Sequence, residues 1–187
     1  MDTSVLELFL TKENITDHFS YLKGLRLRYS ILEKSIPEIK GKSVCEIYRM
    51  RIKQEIKNEI LPLINSIICH KIYFSSFSER PATCSKIKEL YISEPSFLYE
   101  LYEIGRSANG GFLLIGRDGV APRVTVCSDF SASIPSGVCL ALDLCEHAYF
   151  LDYRFAKEKY LKAMLQFLNL SRLYEEKATD NYFDAPV

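Results

Sequence analysis

Two long amphipathic helical patterns in the first half of the chain constrain its fold more than any other feature. Residues 11–35 repeat apolar side chains at helical spacing after Thr11, which is a suitable N-cap, and His18 falls on the apolar side. Residues 52–70 repeat isoleucine and leucine along one stripe that ends at His70, with lysine and glutamate opposite. We therefore predict two long helices, each with a histidine on its buried face.

The segment between these two patterns is short. PEIKGKS breaks the first helix through Pro37 and Gly41. Two long helices with a short connection imply an antiparallel hairpin, on which His18 and His70 could face each other. Pro62 lies inside the second pattern and is a potential kink, because proline removes an internal hydrogen bond of the helix.

The second half of the chain combines short helical and strand patterns. FSERPAT marks the boundary, and SKIKELYI and EPSFLYELYEIG follow as shorter helices, the latter with Pro95 in its first turn. FLLIG, PRVTVC and VCLALDL are typical of short strands, with a turn at RDG, and the segment from Glu146 to about Leu168 is helical again. We predict an α+β fold with two domains: an N-terminal antiparallel helical hairpin (1–80) and a C-terminal α/β lobe with a three-stranded antiparallel sheet (81–187).

Composition and charge argue against several functional classes. The 187 residues include 24 basic and 24 acidic side chains, so nothing suggests an electrostatic surface for nucleic acid or membrane lipid. The N-terminus has no basic segment ahead of an apolar run, and no apolar run approaches the length of a transmembrane helix. We expect a soluble cytoplasmic protein whose partner is a small or neutral molecule.

The six cysteines are scattered and form no C-x-x-C pair. We interpret them as mostly buried free thiols, because cysteine is among the most buried residue types. A thiol nucleophile is the alternative. Cys69 and Cys145 lie within two residues of a histidine, but residues so close in a helix do not face each other. A thiol hydrolase would also leave Asp143 unexplained.

The stretch DLCEHAYFLDY at residues 143–153 places an aspartate, a glutamate and a histidine within five residues, ahead of a run of aromatic side chains. Asp143 ends a predicted strand and His147 lies in the first turn of the next helix, so this corner can turn both side chains to one point. Buried charges are normally paired or bound to a metal. Three histidines and one aspartate form a ligand set for a first-row transition metal. The alternative is that the histidines are core residues with ordinary hydrogen-bond partners.

The motif D-x-x-E-H-A-Y-x-L-x-Y at 143–153 resembles the C-terminal signature of the iron/manganese superoxide dismutases, usually written D-x-W-E-H-A-Y-Y-L-x-Y. Tyr160 and Leu161 follow at the spacing of the family's Y-L. Four upstream segments are similar to family segments in the same order, namely LTKENITDHFSYLKG, GKSVCEI, NSIICHKIYFSSFS and NGGFLLI. The resemblance covers the chain from about Leu10 to Leu173.

The resemblance implies a metal site and a reaction. His18, His70, Asp143 and His147 would hold one iron or manganese ion per subunit, five-coordinate with a solvent molecule. The implied enzyme is a superoxide dismutase, an antioxidant oxidoreductase. Its oxidised ion takes an electron from one superoxide to give dioxygen, and its reduced ion passes the electron to a second superoxide to give hydrogen peroxide. The charge of Asp143 and hydrogen bonds around the bound solvent would set the metal potential.

Several positions around the implied site differ from the family pattern. The family tyrosine at the substrate entrance is here Arg26, which would attract anionic superoxide. The glutamine that orients the bound solvent is replaced by Ser66 at its iron-type position, and by Ser128 or Asp129 at its manganese-type position. These four residues are our candidate catalytic residues. Because changes around a metal site commonly cost ~10–100-fold in metal affinity or activity, we expect weaker or differently tuned dismutation.

The chain also contains no tryptophan. The tryptophans that line the family's metal pocket correspond here to Phe74, Phe112, Leu114 and Cys145, and the last two change the pocket volume. An alternative function keeps the fold and the metal, in a divergent metal-binding protein with a different redox or non-catalytic role. A further alternative treats the ligand set as a relic in a structural or interaction module.

The same motif implies a homodimer. Glu146 matches the family glutamate that bridges to the metal-ligand histidine of the other subunit, and Tyr149 matches a tyrosine at that interface. The usual partner of this tyrosine, a histidine, is here Leu22, which predicts an altered interface. Without the resemblance, Glu146 is a solvated charge at a helix start and Tyr149 is a core aromatic residue.

Overall fold

The computed structural model describes residues 4–82, 84–91, 93–135, 137–175, 180–183 and 187. The helices and strands run in the order α1 (Lys12–Ser35), α2 (Val44–Arg49), α3 (Gln54–Phe74), α4 (Ser85–Leu90), α5 (Glu94–Ser107), β1 (Phe112–Asp118), β2 (Ala121–Cys127), β3 (Val138–Asp143), α6 (Phe150–Tyr153), α7 (Lys157–Leu165) and α8 (Asp180–Phe183). Short 3-10 turns occur at Leu6–Leu8, Pro37–Ile39, Glu146–Ala148 and Leu170–Tyr174.

Helix α1 begins and ends where its sequence signals lie. The Thr11 side chain accepts a hydrogen bond from the backbone N–H of Asn14, which caps the first turn. The helix ends at Ser35 because Ile36 precedes Pro37, and a residue before proline is disfavoured in the helical region. Its buried side chains recur at helical spacing, namely Asn14, Ile15, His18, Leu22, Leu25 and Tyr29.

Helices α1 and α3 form the antiparallel hairpin that the sequence predicts. Phe19, near the start of α1, stacks on Phe74, the last residue of α3, with ring centroids 4.1 Å apart. Towards the other end of the hairpin, Arg28 of α1 and Glu59 of α3 line one cleft. Helix α3 continues through Pro62.

The three strands form one antiparallel sheet in the order β2-β1-β3. In the central strand, Phe112 pairs with Cys127 on one side and with Asp143 on the other. Strand β3 is buried along its whole length, whereas β2 is largely half-exposed at the sheet edge. The predicted α+β class is therefore confirmed, with an N-terminal helical region followed by an antiparallel sheet and its helices.

Helix α3 packs against strand β3, so the two halves of the chain share one hydrophobic core. Beyond the end of α3, the Ser76 hydroxyl accepts a hydrogen bond of 2.9 Å from the backbone N–H of Ala141. The division into domains 1–80 and 81–187 stays a prediction. Within the described ranges, no helix is both long and apolar enough to cross a membrane.

The region after β3 is more broken than the sequence suggests. A 3-10 turn at Glu146–Ala148 is followed by α6 and α7 as separate helices, with Arg154 between them at φ 51°. A non-glycine residue with a positive φ interrupts a right-handed helix. Side chains of α6 are held by the N-terminal segment, since Asp152 accepts two hydrogen bonds from Thr11 and the Tyr153 hydroxyl donates to the Phe9 carbonyl.

Candidate metal centre

Four ligand-type side chains from four separate elements converge on one point. His18 comes from α1, His70 from the last turns of α3, Asp143 from the end of β3 and His147 from the 3-10 turn that follows. One ligand atom from each residue lies within 4.8 Å of the other three. The antiparallel hairpin places His18 and His70 side by side. Strand β3 ends next to them, at Asp143.

The spacing of these atoms suits a shared cation. Oδ2 of Asp143 lies 3.1 Å from Nε2 of His147, 3.2 Å from Nε2 of His18 and 3.5 Å from Nε2 of His70. The Nε2 atoms of His70 and His147 are 3.2 Å apart. Two ligand atoms about 2.1 Å from a common ion and about 90–120° apart would lie roughly 3.0–3.6 Å from each other. All four measured distances fall in that interval.

Hydrogen bonds hold Asp143 in its orientation. Its Oδ1 atom accepts a hydrogen bond of 2.8 Å from the backbone N–H of Cys145, which leaves Oδ2 facing the histidines. Its backbone carbonyl accepts a hydrogen bond of 3.1 Å from the buried hydroxyl of Tyr160. Burial alone raises the pKa of the Asp143 carboxyl, but the imidazoles of His147 and His18 outweigh it and hold the pKa well below its ordinary value. The buried carboxylate is therefore charged.

His70 is prepared to act as a ligand through Nε2. Its Nδ1–H donates to the backbone carbonyl of Ser66 over 2.6 Å, which leaves the lone pair on Nε2. Burial is the main reason that the pKa of His70 falls to about 4, although Asp143 partly opposes it. A neutral imidazole with a bare Nε2 is the form that binds a metal ion.

His18 is fully buried, and neither of its ring nitrogens has an aligned hydrogen-bond partner in the described part of the chain. Its Nε2 faces Asp143 without hydrogen-bond alignment. Buried polar groups are normally satisfied, so an orphaned pair of ring nitrogens at this place requires an explanation. A metal ion at the convergence point would occupy Nε2. The residues present therefore fit a bound metal.

Of the four ligand side chains, one is accessible to solvent. The side chains of His18, His70 and Asp143 are at most 1% exposed, whereas His147 is 29% exposed. His147 and Tyr21 line an open cavity together with Asp17, Ser20, Glu146, Phe150 and Leu151. A small molecule would reach the ligands past His147.

Aromatic rings surround the rest of the centre. Phe74 lies 4.8 Å from His18 between ring centroids, and Phe112 meets His70 edge-on at 5.0 Å. Both side chains are buried. The buried Tyr73 hydroxyl shares a 3.1 Å hydrogen bond with that of Tyr160, which links the ring beside His18 to the support of Asp143. Aromatic side chains therefore enclose the buried ligands.

The structure does not bring all the candidate catalytic residues together. Ser66 is nearby, but the contact it makes to His70 is through its backbone carbonyl. Ser128 and Asp129 are exposed, and the Asp129 carboxylate accepts hydrogen bonds from the N–H and hydroxyl of Ser131 in its own loop. Arg26 is exposed on α1 and close enough to Lys71 to contribute, after burial, to the lowered pKa of that lysine. The catalytic roles of these residues stay predictions.

The remaining positions singled out by the resemblance have ordinary packing roles as well. Leu22 and Leu114 are buried in the core. The Cys145 sulfur accepts a hydrogen bond of 3.1 Å from the N–H of Gly111. Glu146 is exposed, and Tyr149 is buried and stacks on Tyr160 with centroids 4.9 Å apart. An interface role for the last pair is untested.

Sequence reasoning assigned no role to two residues, one at the centre and one beside it in α3. Tyr21 lies on α1, and its ring stacks on His147. Asn65 is fully buried and connects three segments, since its amide donates to the carbonyls of Phe130 and Ala132 and accepts from the Tyr48 hydroxyl. An asparagine inside an apolar helical run is the signal that could have identified it.

One family comparison bears on this centre. A family model described as iron/manganese superoxide dismutases, C-terminal domain, matches residues 81–176, about half of the chain. The matched segment contains the whole sheet, Asp143 and His147, while His18 and His70 come from the helical hairpin before it. The chain belongs to the iron/manganese superoxide dismutase family.

Proposed function

We propose that this protein is a superoxide dismutase that uses one iron or manganese ion per subunit. The observation that carries the proposal is the convergence of three histidine Nε2 atoms on one buried carboxylate oxygen, at 3.1 to 3.5 Å. Family membership supports an oxidoreductase with such a metal. His18, His70, Asp143 and His147 are the residues that would hold the ion.

A bound iron or manganese ion would supply the one-electron couple that converts two superoxide anions and two protons into dioxygen and hydrogen peroxide. The protein would set the strength of that couple through the buried charge of Asp143, held by Cys145, and through the Nδ1–H bond of His70. The partly exposed His147 would let a small anion approach. The neighbouring cations Arg26 and Lys71 would add positive charge that attracts superoxide.

A second candidate function is metal binding with a different redox or non-catalytic role. The observation that favours it is the position of the chain's two glutamines. The Gln54 amide donates to Asn58, and the Gln166 amide, at the end of α7, donates to the Lys162 carbonyl, so both bond to residues four positions away. No glutamine side chain is therefore available to orient solvent at the centre. We expect dismutation below the rate usual for the family.

The proposed assembly is a homodimer through the face that carries Glu146. This carboxylate is exposed next to His147, the one ligand that solvent reaches. A second subunit that contacts Glu146 would have to leave the approach to His147 open. Sedimentation of the metal-loaded protein tests this: a monomer at micromolar concentration would contradict the dimer. The cytoplasmic location stays a prediction.

The experiment that tests the function is superoxide consumption by protein loaded separately with iron and with manganese, at measured occupancy. Turnover with either metal supports the dismutase and identifies its cofactor. Asp143→Asn is the matched control for metal-dependent signal, because it removes the central charge. Full occupancy without turnover would contradict dismutation and favour the second candidate. Absence of bound metal after reconstitution would contradict both.

A further inference from the structure

Asn14 is a buried polar residue of α1 whose side chain lacks a hydrogen-bond partner. It is fully buried, and neither its amide nitrogen nor its amide oxygen is paired within the described part of the chain. The bond to Thr11 that caps the helix uses the backbone N–H of Asn14, so capping does not explain the side chain. Buried polar groups are normally satisfied, and this carboxamide therefore requires an explanation.

Helix geometry places Asn14 next to the ligand His18. The two residues are four positions apart in α1, and both belong to its buried face. Residues at this spacing have Cβ atoms about 5–6 Å apart and can form side-chain hydrogen bonds. Because helical side chains lean towards the N-terminus, the His18 imidazole leans over the turn that contains Asn14.

The His18 ring presents one nitrogen to this turn and the other to the metal centre. Nε2 lies 3.2 Å from Oδ2 of Asp143, at the point where the four ligand-type residues converge. Nδ1 is bonded to the ring carbon that carries Cβ, so it stays close to the turn of α1. A metal ion on Nε2 leaves the proton on Nδ1, which then needs an acceptor.

The second helical histidine shows how that need is met elsewhere in the centre. His70 donates its Nδ1–H over 2.6 Å to the backbone carbonyl of Ser66, which lies four residues before it. Asn14 holds the equivalent position before His18, but among the described residues no group pairs with Nδ1 of His18. The histidine that lacks backbone support is therefore the one with a carboxamide one turn earlier.

The aromatic neighbours of His18 offer no better acceptor. Phe74, at 4.8 Å between ring centroids, has no polar side-chain atom. The Tyr73 ring lies 5.2 Å from that of His18, but its hydroxyl already shares a hydrogen bond with the hydroxyl of Tyr160. Asn14 combines an unused acceptor oxygen with a position on the same helix face.

We propose that Asn14 is the positioning residue of the ligand His18, and that its side-chain oxygen accepts the Nδ1–H bond of His18 when a metal ion is bound. Such an acceptor fixes the tautomer and the orientation of the ring and makes Nε2 a stronger donor to the metal. The inference rests on the proposed function only for metal binding by the four residues. It does not depend on dismutation.

The test is the rate at which manganese(II) passes from the loaded full-length protein to a chelator. Asn14→Leu removes the acceptor at similar volume and should release manganese about tenfold faster. The metal-free Asn14→Leu protein should be at least as stable as wild type to urea, because an unpaired amide is replaced by an apolar group. Unchanged release in Asn14→Leu would overturn the proposal.

Asn14→Asp keeps an acceptor oxygen in the first turn of α1, where a negative charge is favoured, and should release manganese at close to the wild-type rate. Equal acceleration in both variants would overturn the acceptor role. Tyr29→Phe is the matched control. It also removes an unpaired buried polar group from α1, but eleven residues from His18, and should leave release unchanged.

The reduction potential of the iron-loaded protein provides a second readout, which a purely structural role would not move. Loss of the acceptor weakens donation from His18 and disfavours the more highly charged Fe³⁺, so the potential should rise in Asn14→Leu and not in Tyr29→Phe. An unchanged potential would contradict the proposal. Bound metal without turnover would contradict dismutation alone, whereas wild-type protein that takes up no metal would contradict both proposals.

Discussion

Tyr21 lies nearly flat against His147, with ring centroids 4.3 Å apart and ring planes 27° apart. Its ring centroid is also 5.5 Å from that of His70, so the side chain lies against two of the four ligands. Burial is the main reason that the pKa of its hydroxyl is raised, and the phenol is therefore neutral. The side chain is still 44% exposed, which makes it the outer wall of the metal centre.

We predict that Tyr21→Ala accelerates metal loss. Without the ring, water reaches His147 and His70 more freely, and the His147 ring loses the surface that fixes its orientation. Residues that orient ligands typically contribute ~10–100-fold to metal affinity, and we expect an effect of about tenfold here. The measurement is the rate of metal transfer to a chelator. Tyr21→Phe keeps the stacked ring and should release metal at close to the wild-type rate; equal rates in all three proteins would contradict the stacking argument.

The four-residue centre predicts opposite effects on metal binding for substitutions at two aspartates. Asp143→Asn removes the buried charge that faces three Nε2 atoms, so metal binding should fall by at least about 100-fold, the upper end of the effect of residues that only orient ligands. Asp129→Asn should leave metal binding unchanged, because that carboxylate is exposed and bonded to Ser131. Metal content after dialysis measures both. A loss of metal in the Asp129 variant would mean that its loop reaches the centre.

The hairpin and the sheet could be predicted because their patterns repeat over many residues. Each long helix shows several turns of one apolar stripe, and each strand is bounded by turn residues. The break at Arg154 could not, because it accompanies contacts of Asp152 with Thr11 and of Tyr153 with Phe9, from the far end of the chain. The sequence around Arg154 gives no signal of contacts with residues so distant in the chain.

The residues of the metal centre also fall into those that the sequence predicts and those that it does not. Its four ligand-type residues could be identified from a family pattern whose order and spacing are preserved in this chain. The contacts that orient these ligands depend on three-dimensional neighbours, since the ring of Tyr21 meets His147 from a different element. The pattern also named Ser128 and Asp129, whose side chains the fold leaves exposed.

Asn65 gives a stability prediction. Its fully buried side chain donates to two backbone carbonyls and accepts from the Tyr48 hydroxyl, so Asn65→Ala would remove three hydrogen bonds at once. We expect a loss of about 2–4 kcal/mol in the free energy of unfolding. Urea denaturation measures it. Tyr48→Phe removes only one of these bonds and should cost less, about 1–2 kcal/mol; an Asn65 variant as stable as wild type would contradict the clamp.

Two adjacent glycines provide a matched pair for the approach of β1 to β2. Gly110 and Gly111 both have positive φ, at 86° and 79°. A Cβ on Gly110 would meet nothing within 4 Å, whereas one on Gly111 would lie 2.3 Å from the Cys127 carbonyl oxygen and 2.8 Å from Ser128 Cα. Gly110→Ala should therefore cost only the backbone penalty, about 1–2 kcal/mol.

Gly111→Ala adds overpacking against a backbone that cannot move freely, and should cost about 3–5 kcal/mol in total. Thermal unfolding of the two variants side by side gives the comparison. The larger loss should be accompanied by weaker metal binding, because Gly111 accepts a hydrogen bond of 2.9 Å from Leu144, the residue directly after Asp143. Equal losses in the two variants would mean that β1 and the end of β2 separate at little cost.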